Sequence, residues 1–248
     1  MTQRWRALIV FAVLFLLYQS AEGVGDLLLH NFTVQATLMV ACVLAAWPLS
    51  HWLGWKGYGA YVLGWGPVRA WGWLVGGMVL ALLGKLGAIV VGLKLDVYAS
   101  ATGSVAWAPL SATALPMLLV GTFVPSVAED ILTRGFWYRA AGIHWQRGLM
   151  FVLFSAVMYL LNHIYRLQLG PTEWLLIFCY GLAYAAALWR SGSLWAAVGL
   201  HWGWNLANGV LDVDTLDPER GSLLSTVVHV VILGIVLLLP RSVRPETR

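Results

Sequence analysis

The sequence predicts an all-α, polytopic membrane protein of about eight transmembrane helices, with both termini in the cytoplasm. Three observations lead to this prediction. The chain is 60% hydrophobic and only 10% charged, whereas an average soluble domain is about 25% charged. Apolar runs long enough to span a bilayer, which takes about 20 helical residues, recur along the chain. Finally, the Lys and Arg residues are unevenly distributed between alternate loops.

The apolar segments are the candidate spanning helices. By hydropathy they cover residues 6–24, 31–53, 70–93, 112–139, 148–166, 172–190, 193–211 and 222–240. Arg4 and Arg6 precede the first segment, as in a signal peptide, but no small-x-small cleavage site follows, which favours a retained anchor. We found no internal repeat and no low-complexity linker. Residues 1–248 are therefore interpreted as a single integral-membrane domain.

The distribution of positive charge gives an orientation. With the N-terminus inside, ten of the 15 Lys and Arg residues fall in cytoplasmic segments, three fall outside and two lie within spans. Cytoplasmic loops typically carry such an excess. The acidic loop DVDTLDPER, residues 212–220, then lies outside, where we expect a solvated turn. The net charge of +4 is thus explained by topology, and we expect no nucleic-acid partner.

Ionisable side chains inside a membrane are energetically unfavourable and mark candidate functional sites. They occur here in three spans. The fourth span contains Glu129, Asp130 and Arg134. The fifth span contains Tyr159, Asn162 and His163. The seventh span contains His201 and Asn205. Lys85 lies in the third span, and its role is left open.

Helix geometry suggests separate roles for the charges of EDILTR, residues 129–134. Asp130 and Arg134 are four positions apart, so they share a helix face and can form an ion pair. Glu129 is five positions from Arg134, about 140° away at about 100° per residue. We therefore expect Glu129 to face a cavity. His201 and Asn205 share a face by the same spacing, as do Tyr159 and His163.

Each group taken alone has a simpler structural explanation. A lone buried histidine is usually a hydrogen-bonded core residue, a lone Asp–Arg pair is usually structural, and asparagines often link helices in membranes. The combination of an unpaired glutamate and two histidines on three helices exceeds what packing requires.

Two chemistries suit these residues. Glu129, His163 and His201 match a ligand set of catalytic zinc, which leaves an open position for water. Without a metal, a glutamate can act as the general base towards water, and Asn205 with a histidine can stabilise an oxyanion. Both routes lead to hydrolysis of an amide or ester. Zinc is thus a possible cofactor, and no other is expected.

The three motifs, in order, resemble a known family. EDILTR (129–134), YLLNH (159–163) and HWGWN (201–205) are similar to the motifs of the CPBP family, the CAAX proteases and bacteriocin-processing enzymes related to the Ras-converting CAAX endopeptidase. The resemblance covers residues 114–210 approximately, the catalytic core of the family domain.

The resemblance implies an eight-helix intramembrane protease, in a bacterial cytoplasmic membrane, with a water-filled cavity that faces the cytoplasm. Carried over, Glu129 and His163 would activate water. His201 and Asn205 would bind the oxyanion or, with a metal, help to hold zinc. Arg134 would brace the motif helix.

This sequence departs from the family pattern at two positions. Asp130 replaces the usual second glutamate, and Tyr159 replaces the usual phenylalanine. The implied substrate is a membrane-associated peptide or protein: a prenylated CAAX-type peptide, a bacteriocin leader or another membrane protein. The cleavage site and the oligomeric state are open. The alternative is a non-catalytic immunity or scaffold protein, or a carrier that uses Glu129 as a proton site.

Overall fold

The computed structural model describes residues 2–64, 68–100, 105–108, 111–112, 114–143 and 145–242. Within them the α-helices are α1 (Gln3–Ser20), α2 (Phe32–Trp52), α3 (Val68–Lys94), α4 (Ala114–Asp130), α5 (Gly148–Asn162), α6 (Pro171–Ser191), α7 (Leu194–Val210) and α8 (Pro218–Leu238). Helix α1 continues as a π-helix over Ala21–Leu28, and α4 continues as one over Ile131–Ala140. Two 3₁₀ turns cover Gly59–Tyr61 and Ile164–Leu169.

Each predicted apolar segment overlaps one of these helices, and the all-α membrane class is confirmed. Six helices of the described chain are long and apolar enough to cross a bilayer. The others, α5 with 15 residues and α7 with 17, are shorter than the usual span of about 20. The exact number of crossings and the side of each terminus stay predictions. Arg244 and Arg248, which contributed to the predicted orientation, lie outside the described residues.

Segments predicted to lie on the cytoplasmic side contact one another. The hydrogen bonds that join them run from Gln3 to the carbonyl of Leu53, from Arg139 to that of Gly59, from the Leu194 amide to that of Val62, and from Arg190 to that of Leu239. We call this the basic end; it comprises residues 2–6, 52–64, 139–143, 145–147, 190–194 and 239–242.

Segments predicted to lie outside meet at the opposite end. Strand β1 (Tyr98–Ala99) pairs antiparallel with β4 (Asp214–Thr215), and β2 (Ala106–Trp107) pairs antiparallel with β3 (Leu211–Asp212). The loop predicted to be a solvated turn is therefore partly β-strand. We call this the acidic end; it comprises residues 22–31, 95–100, 163–173 and 211–220.

Glycine allows α7 to approach α3 closely. A Cβ atom on Gly203 would lie 2.7 Å from the Met78 Cα, and one on Gly77 would lie 2.9 Å from the Ala196 carbonyl oxygen. Small residues four apart, here Gly199 and Gly203, let membrane helices pack backbone to backbone. This packing fixes the helix that carries His201 and Asn205.

The change from α- to π-helix directly after Asp130 alters the backbone hydrogen bonding beside the charged motif. Two hydroxyls bond to carbonyls there: Thr133 donates to the Glu129 carbonyl at 2.7 Å, and Ser155 of α5 donates to the Thr133 carbonyl at 3.0 Å. Side-chain hydroxyls commonly satisfy such carbonyls within membranes. Single-turn π-segments often occur at functional sites.

Candidate active site

The Glu129 carboxylate lies between two histidines from different helices. Its Oε1 atom is 3.4 Å from Nε2 of His163, which directly follows α5, and its Oε2 atom is 3.5 Å from Nε2 of His201 on α7. Glu129 and His201 are each only 4% exposed. The predicted convergence of these three side chains is therefore present in the structure.

The other ring nitrogen of each histidine is held by an acceptor. Nδ1 of His163 is 2.8 Å from the Tyr159 carbonyl oxygen, and Nδ1 of His201 is 3.0 Å from Oδ1 of Asp130. A carbonyl or an ion-paired carboxylate can only accept, so each Nδ1 carries the proton. In the neutral rings each Nε2 therefore directs a lone pair towards Glu129.

Two lone pairs facing a carboxylate need a hydrogen donor or a cation between them. The separations of 3.4 and 3.5 Å exceed the usual N–H···O range of about 2.7–3.2 Å. A water molecule can donate to the carboxylate and to one imidazole at once. The arrangement thus suits a water that is polarised for attack.

Asp130 forms the predicted ion pair with Arg134, and both side chains are fully buried. The guanidinium also lies over two aromatic rings, 4.5 Å from the centroid of Tyr159 and 5.1 Å from that of Tyr184. These cation–π contacts and the carboxylate offset the desolvation of the guanidinium. We did not predict the second contact of Asp130, its bond to His201.

Tyr159, which was predicted as a supporting residue, contacts both histidines of the cluster. Its ring makes edge contacts with His163 at 4.6 Å and with His201 at 5.9 Å. Tyr184 of α6 stacks on the His201 ring at 5.2 Å. Both imidazoles are therefore restrained by aromatic faces as well as by hydrogen bonds.

Asn205 lies on α7 one turn beyond His201, as its spacing predicts. Its Nδ2 atom donates to Ser126 Oγ at 3.2 Å, and Ser126 is three positions before Glu129 on α4. Asn205 is thus joined to the same stretch of α4, through a hydroxyl rather than through the carboxylate.

Residues of α1 reach the site, which the sequence did not predict. Nδ2 of Asn162 donates to Glu129 Oε1 at 3.2 Å, and Nε2 of Gln19 donates to Asn162 Oδ1 at 3.0 Å. Tyr18 also shares a side-chain hydrogen bond with Glu129. The signal was the polar stretch YQSAE, residues 18–22, which reads as a helix end by hydropathy.

The exposed edge of the cluster lies towards the acidic end. His163, whose side chain is 13% exposed, lies where α5 enters the 3₁₀ turn of the acidic end. On the other side, the loop residues Tyr61, Val62 and Leu63 are buried and cover the interior. If the basic end is cytoplasmic, this exposed edge lies on the other side, which differs from the cytoplasm-facing cavity that the resemblance implies.

Glu129, His163 and His201 stay the predicted zinc ligands. Among the described residues no three His, Cys, Asp or Glu side chains are grouped to hold a metal ion. Glu129 Oε1, one of the expected ligand atoms, accepts the Asn162 amide instead. We therefore derive no step through zinc.

The fold and the site define an integral membrane protein with a buried Glu–His–His cluster on successive helices. Residues 109–207 match the family described as Type II CAAX prenyl endopeptidase Rce1-like. This match supports the CAAX protease resemblance that the motifs of the same segment indicate. No curated protein matches the chain.

Proposed function

We propose that the protein is an intramembrane endopeptidase that hydrolyses a peptide bond of a membrane-associated or lipidated peptide. The observation that carries this proposal is the approach of two Nε2 atoms to the two oxygens of Glu129, at 3.4 and 3.5 Å. Both rings have their Nδ1 atoms occupied. The family of residues 109–207 supports the reaction class.

In the proposed reaction Glu129 acts as the general base. A water held between Glu129 and His163 gives a proton to the carboxylate while its oxygen bonds to the scissile carbonyl carbon. The carbonyl oxygen becomes an oxyanion. When this intermediate collapses, the C–N bond breaks and Glu129 returns the proton to the leaving amine nitrogen.

His201 and Asn205 are assigned to the oxyanion. The Asn205 amide can turn from Ser126 to donate to the developing negative charge. His201 can contribute when its Nε2 is protonated, and the imidazolium would then be stabilised by the Asp130 carboxylate at 3.0 Å. An aspartate that holds a histidine by its Nδ1–H serves the same purpose in catalytic triads.

The decisive experiment compares the Glu129→Gln variant with the parent chain, purified in detergent and given a lipidated peptide. The amide keeps the shape and loses basicity, so we expect turnover to fall by roughly 10²–10⁴-fold with expression and thermal stability near normal. A scaffold would retain its biological activity in this variant. A proton-coupled carrier would lose transport while showing no peptide cleavage in either form.

A further inference from the structure

A cavity lies between the π-helical end of α1, α2 and the middle of α4, the helix that carries Glu129. It has a volume of about 170 Å³. This is smaller than the roughly 300–1,000 Å³ of a drug-sized pocket and suits a single side chain. Its walls are apolar, including Phe32, Met39 and Val124, apart from the polar side chains Glu22 and Gln35.

Glu22 is the charged group of this cavity, and the cation within its electrostatic range, Arg166, is ion-paired with Glu173. Glu22 is partly buried, accepts a hydrogen bond from Gln35 and lies within electrostatic range of Glu129. No Lys, Arg or His of the described chain forms an ion pair with it. Because a buried or partly buried carboxylate is normally paired, the absence of a cation within ion-pair distance points to a ligand.

We propose that this cavity, the Glu22 pocket, receives a lysine or arginine side chain of the peptide substrate. The inference rests on the proposed peptidase function. Apolar walls accommodate the methylene stem of such a side chain, as they do for snorkelling residues. The carboxylate at Glu22 supplies the charge-assisted hydrogen bond at its tip. Proximity to Glu129 places the basic residue close to the scissile bond.

The charge around the pocket favours the same ligand class. Of the chain's 11 acidic residues, eight belong to the acidic end or its margin, where three Lys and Arg residues accompany them. The acidic residues are Glu22, Asp26, Asp96, Glu173, Asp212, Asp214, Asp217 and Glu219. A surface of one sign concentrates ligands of the opposite sign at a cleft. A basic peptide is therefore attracted to the end towards which the exposed edge of the cluster lies.

The first test is a peptide library in which lysine, arginine or norleucine occupies each position, with cleavage sites read by mass spectrometry. We expect a basic residue to be preferred at one fixed position by roughly 10–100-fold, the range for a hydrogen bond to a charged group. Glu22→Gln should abolish that preference while norleucine peptides are still cleaved. Asp26→Asn, which removes an exposed charge one turn away, should retain it.

The Glu129→Gln variant separates this inference from the proposed function. If it cleaves the library as well as the parent, the proposed function is wrong. If it is inactive while the parent shows no basic preference, or the same preference after Glu22→Gln, the pocket assignment alone is wrong. If Glu22→Gln and Asp26→Asn lose the basic preference equally, the preference comes from the overall negative charge of the acidic end. That result would overturn the pocket assignment.

A binding measurement tests the pocket without turnover. n-Butylguanidinium should raise the melting temperature of the parent chain and of Glu129→Gln, whereas the neutral n-butylurea should not. The Glu22→Gln variant should lose this stabilisation. Equal stabilisation of the parent and Glu22→Gln, or none in the parent, would overturn the proposal.

Discussion

Asp130 accepts a hydrogen bond from Nδ1 of His201 at 3.0 Å, through the Oδ1 atom that also pairs with Arg134. One carboxylate oxygen thus links the structural ion pair of α4 to a histidine of α7. The shorter aspartate, which replaces the glutamate of the family pattern, reaches both partners. The two acids of the motif therefore have separate functions. Asp130 orients His201, and Glu129 remains available to interact with the water.

This link predicts different outcomes for the two halves of the ion pair. Either Asp130→Ala or Arg134→Ala leaves a buried charge unpaired, so we expect each to lower the free energy of unfolding by about 3–5 kcal/mol. Only Asp130→Ala also releases His201. Per folded molecule, its turnover should therefore fall further below that of Arg134→Ala, by up to roughly 10²-fold.

Thermal melts and single-turnover cleavage of detergent-purified protein measure both effects. Glu129→Gln is the matched control, because it removes a carboxylate next to the pair and should leave the melting temperature near normal. If Glu129→Gln unfolds the protein while Asp130→Ala only slows cleavage, the two acids have been assigned the wrong way round.

Gln19 hydrogen-bonds to Asn162, which in turn hydrogen-bonds to Glu129. These two bonds predict that α1 affects the activity of Glu129 as the general base. Nε2 of Gln19 fixes the Asn162 amide so that its N–H, rather than its oxygen, faces the carboxylate. Gln19→Met keeps the length of the side chain and removes the donor. We expect kcat to fall by about tenfold with KM little changed.

A double-mutant cycle separates this role from simple packing. Asn162→Ala already removes the donor to Glu129, so adding Gln19→Met in that background should lower kcat little further. Ser20→Ala, at the adjacent position, serves as the control and should match the parent. Additive losses in the double mutant would show that Gln19 acts independently of Asn162.

The sequence predicted those features that depend on spacing within one helix. The Asp130–Arg134 pair follows from a separation of four residues, and the polar faces of α5 and α7 follow from the same periodicity. Contacts between distant helices could not be predicted from the sequence. The bonds from Gln19 to Asn162 and from His201 to Asp130 span 143 and 71 positions, and they depend on packing that no local pattern specifies.

The missed role of α1 has a related cause. Hydropathy treats polar residues at the end of a span as its boundary, and the stretch from Tyr18 to Glu22 fits that description. The π-helix that begins at Ala21 instead keeps these residues within the bundle. The short strands at the acidic end were missed because each has only two residues, too few for an alternating pattern.

The orientation in the membrane gives a further prediction. Because the basic end carries seven Lys and Arg residues against two at the acidic end, we expect it to be cytoplasmic and the site to open on the opposite side. In a background lacking Cys42 and Cys179, Leu216→Cys should react with an impermeant maleimide on intact cells. Arg241→Cys should react only after permeabilisation.

The reverse labelling pattern would restore the cytoplasm-facing cavity that the family resemblance implies. It would also show that the charge asymmetry does not set the topology of this chain. Labelling of both positions from the same side would mean that the number of crossings between them is not odd, which would contradict a membrane-spanning α8.

Metal dependence is the last prediction. Zinc binds histidine nitrogen at about 2.0–2.1 Å and carboxylate oxygen at about 2.0–2.2 Å, usually with four ligands. The two imidazoles here instead approach different oxygens of Glu129, and the described residues contain no grouped set of three ligands. We therefore expect cleavage to persist after dialysis against 1,10-phenanthroline, with a zinc peptidase in the same detergent as the positive control for chelation. Loss of activity that zinc alone restores, with about one bound zinc per chain in the parent and none in His163→Ala, would replace the general-base mechanism by a metal-assisted one.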